Sequence, residues 1–136
     1  MPIIRTTTGR RDILLIDDNQ LICSIASDLL YDRGGFGICA VETAELGLLW
    51  LADHDFAAVI VDYWLADQGM TGLEFVQTVR NTLSEVPILG MSGDDSHGHE
   101  FIAAGCNAFL LKPLRDPPLL DVLAEVLTYH KLQNVG

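Results

Sequence analysis

No stretch of this chain approaches the roughly 18 consecutive apolar residues that a membrane-spanning helix requires. Residues 1–11 are rich in Thr and Arg and lack the apolar core of a secretory signal, so they read as a short tail on a cytoplasmic protein. Basic residues are scarce: 8 Lys and Arg stand against 19 Asp and Glu, a formal charge of −11. Such a balance repels phosphate backbones and argues against direct binding to nucleic acid. Cysteine is sparse too. Cys23, Cys39 and Cys106 are far apart, odd in number and contain no C-x-x-C, which excludes a disulfide scaffold and fits reduced, buried thiols. Low-complexity composition is missing, and 49% of the residues are hydrophobic, enough for a real core.

What is there is an alternation of apolar runs and helical patterns over 136 residues, the size of one domain. Ile13 to Ile16 is a continuous apolar run, as in a buried parallel strand, and Asp17-Asp18-Asn19 ends it. Ile22, Ile25, Ala26 and Leu29 follow at helical spacing until Gly34-Gly35. Phe36 to Val41 reads as a second strand, Thr43 to Asp53 as a helix, and Phe56 to Val61 as a strand ending at Asp62. After a loop over 63–70, Thr71 and Glu74 form a capping box for a helix with Phe75, Val76, Val79 and Leu83 on one face. Val86 to Met91 is a fourth strand. Asp94 to Ala104 is a weaker helix, interrupted in pattern by Gly98. Asn107 to Leu111 is a fifth strand, and Asp116 with Pro117 opens a last helix burying Leu119, Leu123, Val126 and Leu127. Five β-α units with right-handed crossovers predict an α/β fold, a five-stranded parallel sheet doubly wound by helices on both faces. The domain is expected over 12–131, with tails over 1–11 and 132–136 and no output domain after it.

Open parallel sheets bind ligands at the carboxyl ends of their strands, near the switch in strand order. The polar residues at those ends are Asp17, Asp18, Asp62, Ser92 and Lys112, so five residues from four strands converge on one rim. Clustered carboxylates repel unless a cation sits among them. Oxygen donors in small number suit Mg²⁺, which keeps waters and accepts phosphate oxygens. Carboxylates beside one lysine and one hydroxyl therefore predict a Mg²⁺ and phosphoryl site. Asp62 would be the nucleophile, Lys112 a neutralising charge and Ser92 a donor to a phosphoryl oxygen.

These same residues carry a resemblance. The runs I-L-L-I-D-D-N (Ile13 to Asn19), V-I-V-D (Val59 to Asp62), G-M-S-G (Gly90 to Gly93) and A-A-G-C-N-A-F-L-L-K-P (Ala103 to Pro113) resemble the receiver domain of bacterial two-component response regulators. The likeness covers residues 12 to about 130. Spacing agrees: Asp62 lies 44 residues after Asp18, Ser92 lies 30 after Asp62, and Lys112 lies 20 after Ser92. The resemblance implies a CheY-like fold with flavodoxin-like strand order 2-1-3-4-5. It implies Asp62 as phosphoacceptor and Asp17, Asp18, Asp62 and the Trp64 carbonyl as Mg²⁺ ligands. Ser92 and Phe109 would be the switch pair, and the Lys112-Pro113 peptide would be cis. Phosphoryl groups would come from a histidine kinase or a histidine phosphotransfer protein. The chain would assist its own phosphorylation and dephosphorylation rather than act as an enzyme on a substrate. The output surface would be the fourth helix, fifth strand and fifth helix, read by a downstream protein target or by a second copy in a homodimer.

The loop after Asp62 departs from the pattern. The family often has proline four residues on, where this chain has Ala66, and glycine eight or nine on, where Gly72 stands ten on. D-Y-W-L-A-D-Q-G-M-T-G looks like a one-residue-longer form of the loop in receivers fused to hybrid sensor kinases. Trp64 stands where the family controls water access, and its indole is expected to shield the phosphoryl group, the other reading being a packed or partner-contact residue. His97 and His99 form an H-x-H pair with no third ligand nearby and read as exposed loop residues. Gly90, Gly93 and Gly98 lower helix propensity where a switch would move, so mobility is expected there.

Three other readings share parts of this pattern. A docking module of the same fold, never phosphorylated, usually lacks one of the acidic pair, the acceptor or the lysine. A dehalogenase-like hydrolase needs D-x-D after a strand, whereas position 64 is Trp and Asp53-x-Asp55 precedes its strand. A flavodoxin-like cofactor binder needs a Ser/Thr/Gly-rich loop after the first strand, where this chain has Asp17-Asp18-Asn19.

Overall fold

A computed structural model describes residues 3–5, 11–65 and 69–133. The elements are β1 (Ile3–Arg5), β2 (Asp12–Ile16), α1 (Gln20–Asp28), β3 (Gly37–Val41), α2 (Ala44–Asp53), β4 (Ala58–Asp62), α3 (Gly72–Asn81), β5 (Ile88–Ser92), α4 (His97–Ala104), β6 (Ala108–Leu111) and α5 (Pro118–Gln133). A π-helical turn, Leu29–Arg33, continues α1.

The sheet has six strands in the order β1-β3-β2-β4-β5-β6. β2 to β6 are all parallel, and counted among themselves they run 2-1-3-4-5. The expectation of five strands needs correction. Ile3–Arg5, expected in a tail, pairs antiparallel with β3, Ile4 opposite Cys39. The strand is short, and an Ile-Ile pair among Thr and Arg gives no alternation to read. Arg5 anchors it from outside, pairing with Asp28 at 3.4 Å and lying over the Tyr31 ring at 5.3 Å.

The parallel strands β2 to β5 are apolar on both faces because both faces are covered. Ile13, Leu15, Ile38, Ile60, Leu89 and Met91 point toward α1 and α5 and meet Ala26, Leu30, Leu119 and Leu123. Leu14, Ile16, Val41, Val59, Val61 and Ile88 point the other way and meet Phe75, Val76, Val79 and Phe101 of α3 and α4. The alternation of side chains along a strand thus builds two cores from one sheet.

Helix ends follow their sequence signals with three exceptions. Asn19 caps α1, accepting from the N–H groups of Leu21 and Ile22, and Thr71 and Glu74 close the capping box of α3. Leu83, expected on the buried face of α3, lies beyond its end at Asn81, is 88% exposed and has φ 65°. α4 starts at His97 rather than Asp94 and runs through Gly98. α5 starts at Pro118, one residue after the expected Pro117, and reaches Gln133. No described helix is long and apolar enough to cross a membrane.

Candidate functional site

Strand register alone assembles the rim. Ile16 pairs with Val61, so Asp17 and Asp62 stand side by side after β2 and at the end of β4. Asp62 pairs with Met91, and Ser92 with Leu111, which brings Ser92 and Lys112 into the same row. β2 lies where the chain reverses its direction of winding, between β3 and β4, the place where open α/β sheets form ligand crevices.

Asp17 is fully buried, Asp62 is 5% exposed, and Asp18 is exposed at the mouth. One carboxylate oxygen from each of the three lies within 4.8 Å of the others. Lys112 sits between the two buried ones, its Nζ donating to Asp17 Oδ2 at 2.9 Å and pairing with Asp62 Oδ2 at 3.1 Å. The lysine arrives there through its backbone, since its N–H donates to the Ser92 carbonyl at 2.8 Å, and the Lys112-Pro113 peptide that follows is cis. Asp17 is held from behind. Its Oδ1 accepts from the Asn19 N–H at 2.9 Å, and its backbone carbonyl accepts from the Cys23 thiol at 3.3 Å.

Electrostatics separates the roles of these groups. Burial and then the charge of Asp17 push the Asp62 carboxyl up to about 6, and Lys112 opposes that rise. Burial alone would lower the Lys112 ammonium. Hydrogen bonds and charge from Asp17 and Asp62 outweigh it and hold the lysine above its ordinary value. The cluster carries three potential negative charges against one positive. Oxygen donors in this number and spacing leave room for waters and fit a hard divalent cation such as Mg²⁺.

The loop after Asp62 returns at Gly72. A Cβ there would lie 1.9 Å from the Asp62 carbonyl oxygen, and the Gly72 N–H donates to the Tyr63 carbonyl at 3.2 Å. The residue ten after Asp62 is therefore glycine because it packs on the backbone of Asp62. Gly69 has φ +103°, and the next N–H, of Met70, donates to Glu45 at 3.0 Å. Ala66, with its missing proline, lies outside the described residues.

Trp64 is 64% exposed, which removes the reading of a packed indole. Phe109, on β6, is half-buried with its ring centroid 6.1 Å from that of Phe101. Two glycines make room for these rings: a Cβ at Gly90 would strike Phe101 at 2.4 Å, and one at Gly98 would press on Phe109 at 3.1 Å.

His97 requires a correction. It is the first residue of α4, its side chain is only 12% exposed, and its Nδ1 lies 2.7 Å from Ser92 Oγ. Its ring stacks on Tyr63 at 3.6 Å and 7°, with the Trp64 indole edge-on at 5.8 Å. Hydrogen bonding to the Glu100 carboxylate, and after it burial, raises the Tyr63 phenol above its ordinary value. Histidine alone does not announce this stack, which joins the start of α4 to the residue after β4, two places distant in the chain. His99 is exposed, as expected.

A family model described as the response regulator receiver domain matches residues 13–124. The chain is 32% identical over 114 residues to the response regulator protein FleR of Pseudomonas aeruginosa, a match covering 82% of this chain and 24% of that protein. It is 28% identical over 128 residues to a putative response regulator, NtrX-like, of Rickettsia bellii, covering 90% and 26% respectively. Among solved structures it is similar to the chemotaxis protein CheY4 of Vibrio cholerae, with TM-score 0.79, 27% identity and coverage of 87% of this chain and 99% of that one. The chain thus spans about a quarter of the length of these two curated relatives.

Proposed function

The chain belongs to the response regulator receiver domain family, and from that premise we propose that it is a phosphoryl-accepting switch whose acceptor is Asp62. The observation that carries this reading is the pair of contacts from Lys112 Nζ, 2.9 Å to Asp17 and 3.1 Å to Asp62, beside the exposed carboxylate of Asp18. This arrangement supports charge stabilisation around one carboxylate oxygen.

In the reaction, an Asp62 carboxylate oxygen attacks the phosphorus of a phosphohistidine on a kinase or phosphotransfer protein. An O–P bond forms, the P–N bond breaks, and its electron pair returns to the donor imidazole. Asp17, Asp18, Asp62 and the Trp64 carbonyl would hold Mg²⁺, which supplies positive charge for the phosphoryl oxygens. Lys112 adds a second charge and keeps Asp17 and Asp62 from repelling each other. Ser92 donates to a phosphoryl oxygen, and Phe109 follows its movement. The change passes to the face of α4, β6 and α5, where a downstream protein or a second copy binds. Trp64, at the rim, screens the acyl phosphate from water. The setting is the cytoplasm, where histidine kinases present their phosphoryl groups.

Acetyl phosphate with Mg²⁺ tests this reading. A gain of about 80 Da in intact mass, abolished by chelator, supports it. No gain from acetyl phosphate or from a phosphohistidine donor would leave a docking module of the same fold.

A further inference from the structure

Ser92 Oγ accepts from the Asp94 N–H at 3.1 Å and shares a 2.7 Å hydrogen bond with His97 Nδ1. A hydroxyl has one proton to give. With Nδ1 unprotonated, that proton goes to the imidazole, and the Asp94 N–H occupies the oxygen. The hydroxyl then has no proton left for a phosphoryl oxygen.

The imidazole is held in place for this contact. Its ring stacks on Tyr63, the residue next to Asp62, at 3.6 Å and 7°. Tyr63 also stands edge-on to Phe101 of α4 at 5.5 Å. His97 leads α4, with its N–H bonded to the Asp94 carbonyl at 3.2 Å. Ser92 is only 1% exposed, so water does not readily replace a lost partner.

We infer that His97 is a positioning residue that latches the Ser92 hydroxyl toward α4, in competition with a phosphoryl group on Asp62. The inference rests on the phosphoryl-acceptor reading. Loading the acceptor draws the Ser92 proton away from Nδ1, and the loss of that bond releases the first turn of α4. The latch therefore couples the chemistry at Asp62 to α4 through one hydrogen bond.

The test uses the full chain, Mg²⁺ and beryllofluoride, a mimic of a carboxylate-bound phosphoryl group. His97→Phe keeps an aromatic ring for stacking on Tyr63 and removes the bond to Ser92. It should tighten beryllofluoride binding about five-fold, the worth of one buried hydrogen bond. His97→Asn, which restores an acceptor near Nδ1, should reverse most of that gain. In a Ser92→Ala background, His97→Phe should change binding less than about two-fold. Equal binding by wild type and His97→Phe, or a gain that persists without the Ser92 hydroxyl, overturns the latch while leaving the acceptor intact. If wild type and variants all fail to bind beryllofluoride, the acceptor reading falls and the latch with it. A measurement without a substitution at position 97 guards against misfolding. In ¹⁵N-histidine-labelled wild type, the His97 Nδ1 resonance should move on adding Mg²⁺ and beryllofluoride, toward its position in Ser92→Ala. A resonance that stays put while the ligand binds overturns the proposal.

Discussion

Between its ordinary value of 3.8 and about 6, the Asp62 carboxyl in the folded protein keeps a proton that the unfolded chain has released. Its stabilising contribution is full below 3.8 and is lost as pH rises to about 6. In chelator, urea melts should therefore show stability falling across this window, by on the order of 2–3 kcal/mol from this group. Magnesium should restore that loss above about pH 6 and have little effect near pH 4, because binding needs the ionised carboxylate. A Mg²⁺-induced shift in melting that is as large at the acid end would contradict this account. Trp64 is the other residue with its own consequence. Its exposed indole projects from the rim, so Trp64→Asn should shorten the lifetime of the phosphorylated state several-fold, measured as loss of mass after donor removal. Equal lifetimes would refute the screening role.

At the scale of elements, Gly72 opens α3 against the backbone of Asp62, with no room for a methyl group. Gly72→Ala should cost about 1–3 kcal/mol in a denaturant melt and weaken Mg²⁺ binding, since the loop that carries Trp64 must shift. An alanine variant with unchanged stability would show that the loop relaxes freely. Elements of this kind were partly legible in the sequence. Runs such as Ile13 to Ile16 and Val59 to Val61 name their strands because two covered faces demand unbroken apolar residues, and Thr71 with Glu74 names the start of α3. Asp17, Asp18, Asp62, Ser92 and Lys112 could be placed on one rim because parallel strands all end on the same side. Three features lacked such a signal. β1 is three residues long and gains its stability from pairing with β3 rather than from its own pattern. Leu83 fits the helical period of α3 yet falls after the helix ends. His97 depends on a ring stack between α4 and the residue after β4, a tertiary contact that no local pattern encodes.

Across the whole molecule, the two cores built on one sheet enclose all three cysteines. Cys23, Cys39 and Cys106 are 5, 4 and 7% exposed, and burial pushes their thiols up to about 11, 11 and 12. A thiol reagent at mild pH should label the native protein only as fast as it unfolds, and all three sites should appear together in urea. Rapid labelling of one cysteine in the native state would mean that its side of the sheet opens locally. The charge of −11 is a property of the whole chain, and it favours partners that bring basic faces.

The central claim, that Asp62 accepts the phosphoryl group, is tested most directly by locating the modified residue. An acyl phosphate is reduced by borohydride, converting aspartate to homoserine, which tandem mass spectrometry can place. After incubation with acetyl phosphate and Mg²⁺, homoserine should appear at position 62 alone, and Asp62→Ala should yield none. Homoserine at Asp17 or Asp18, or unmodified protein under conditions where Mg²⁺ is bound, would contradict the account.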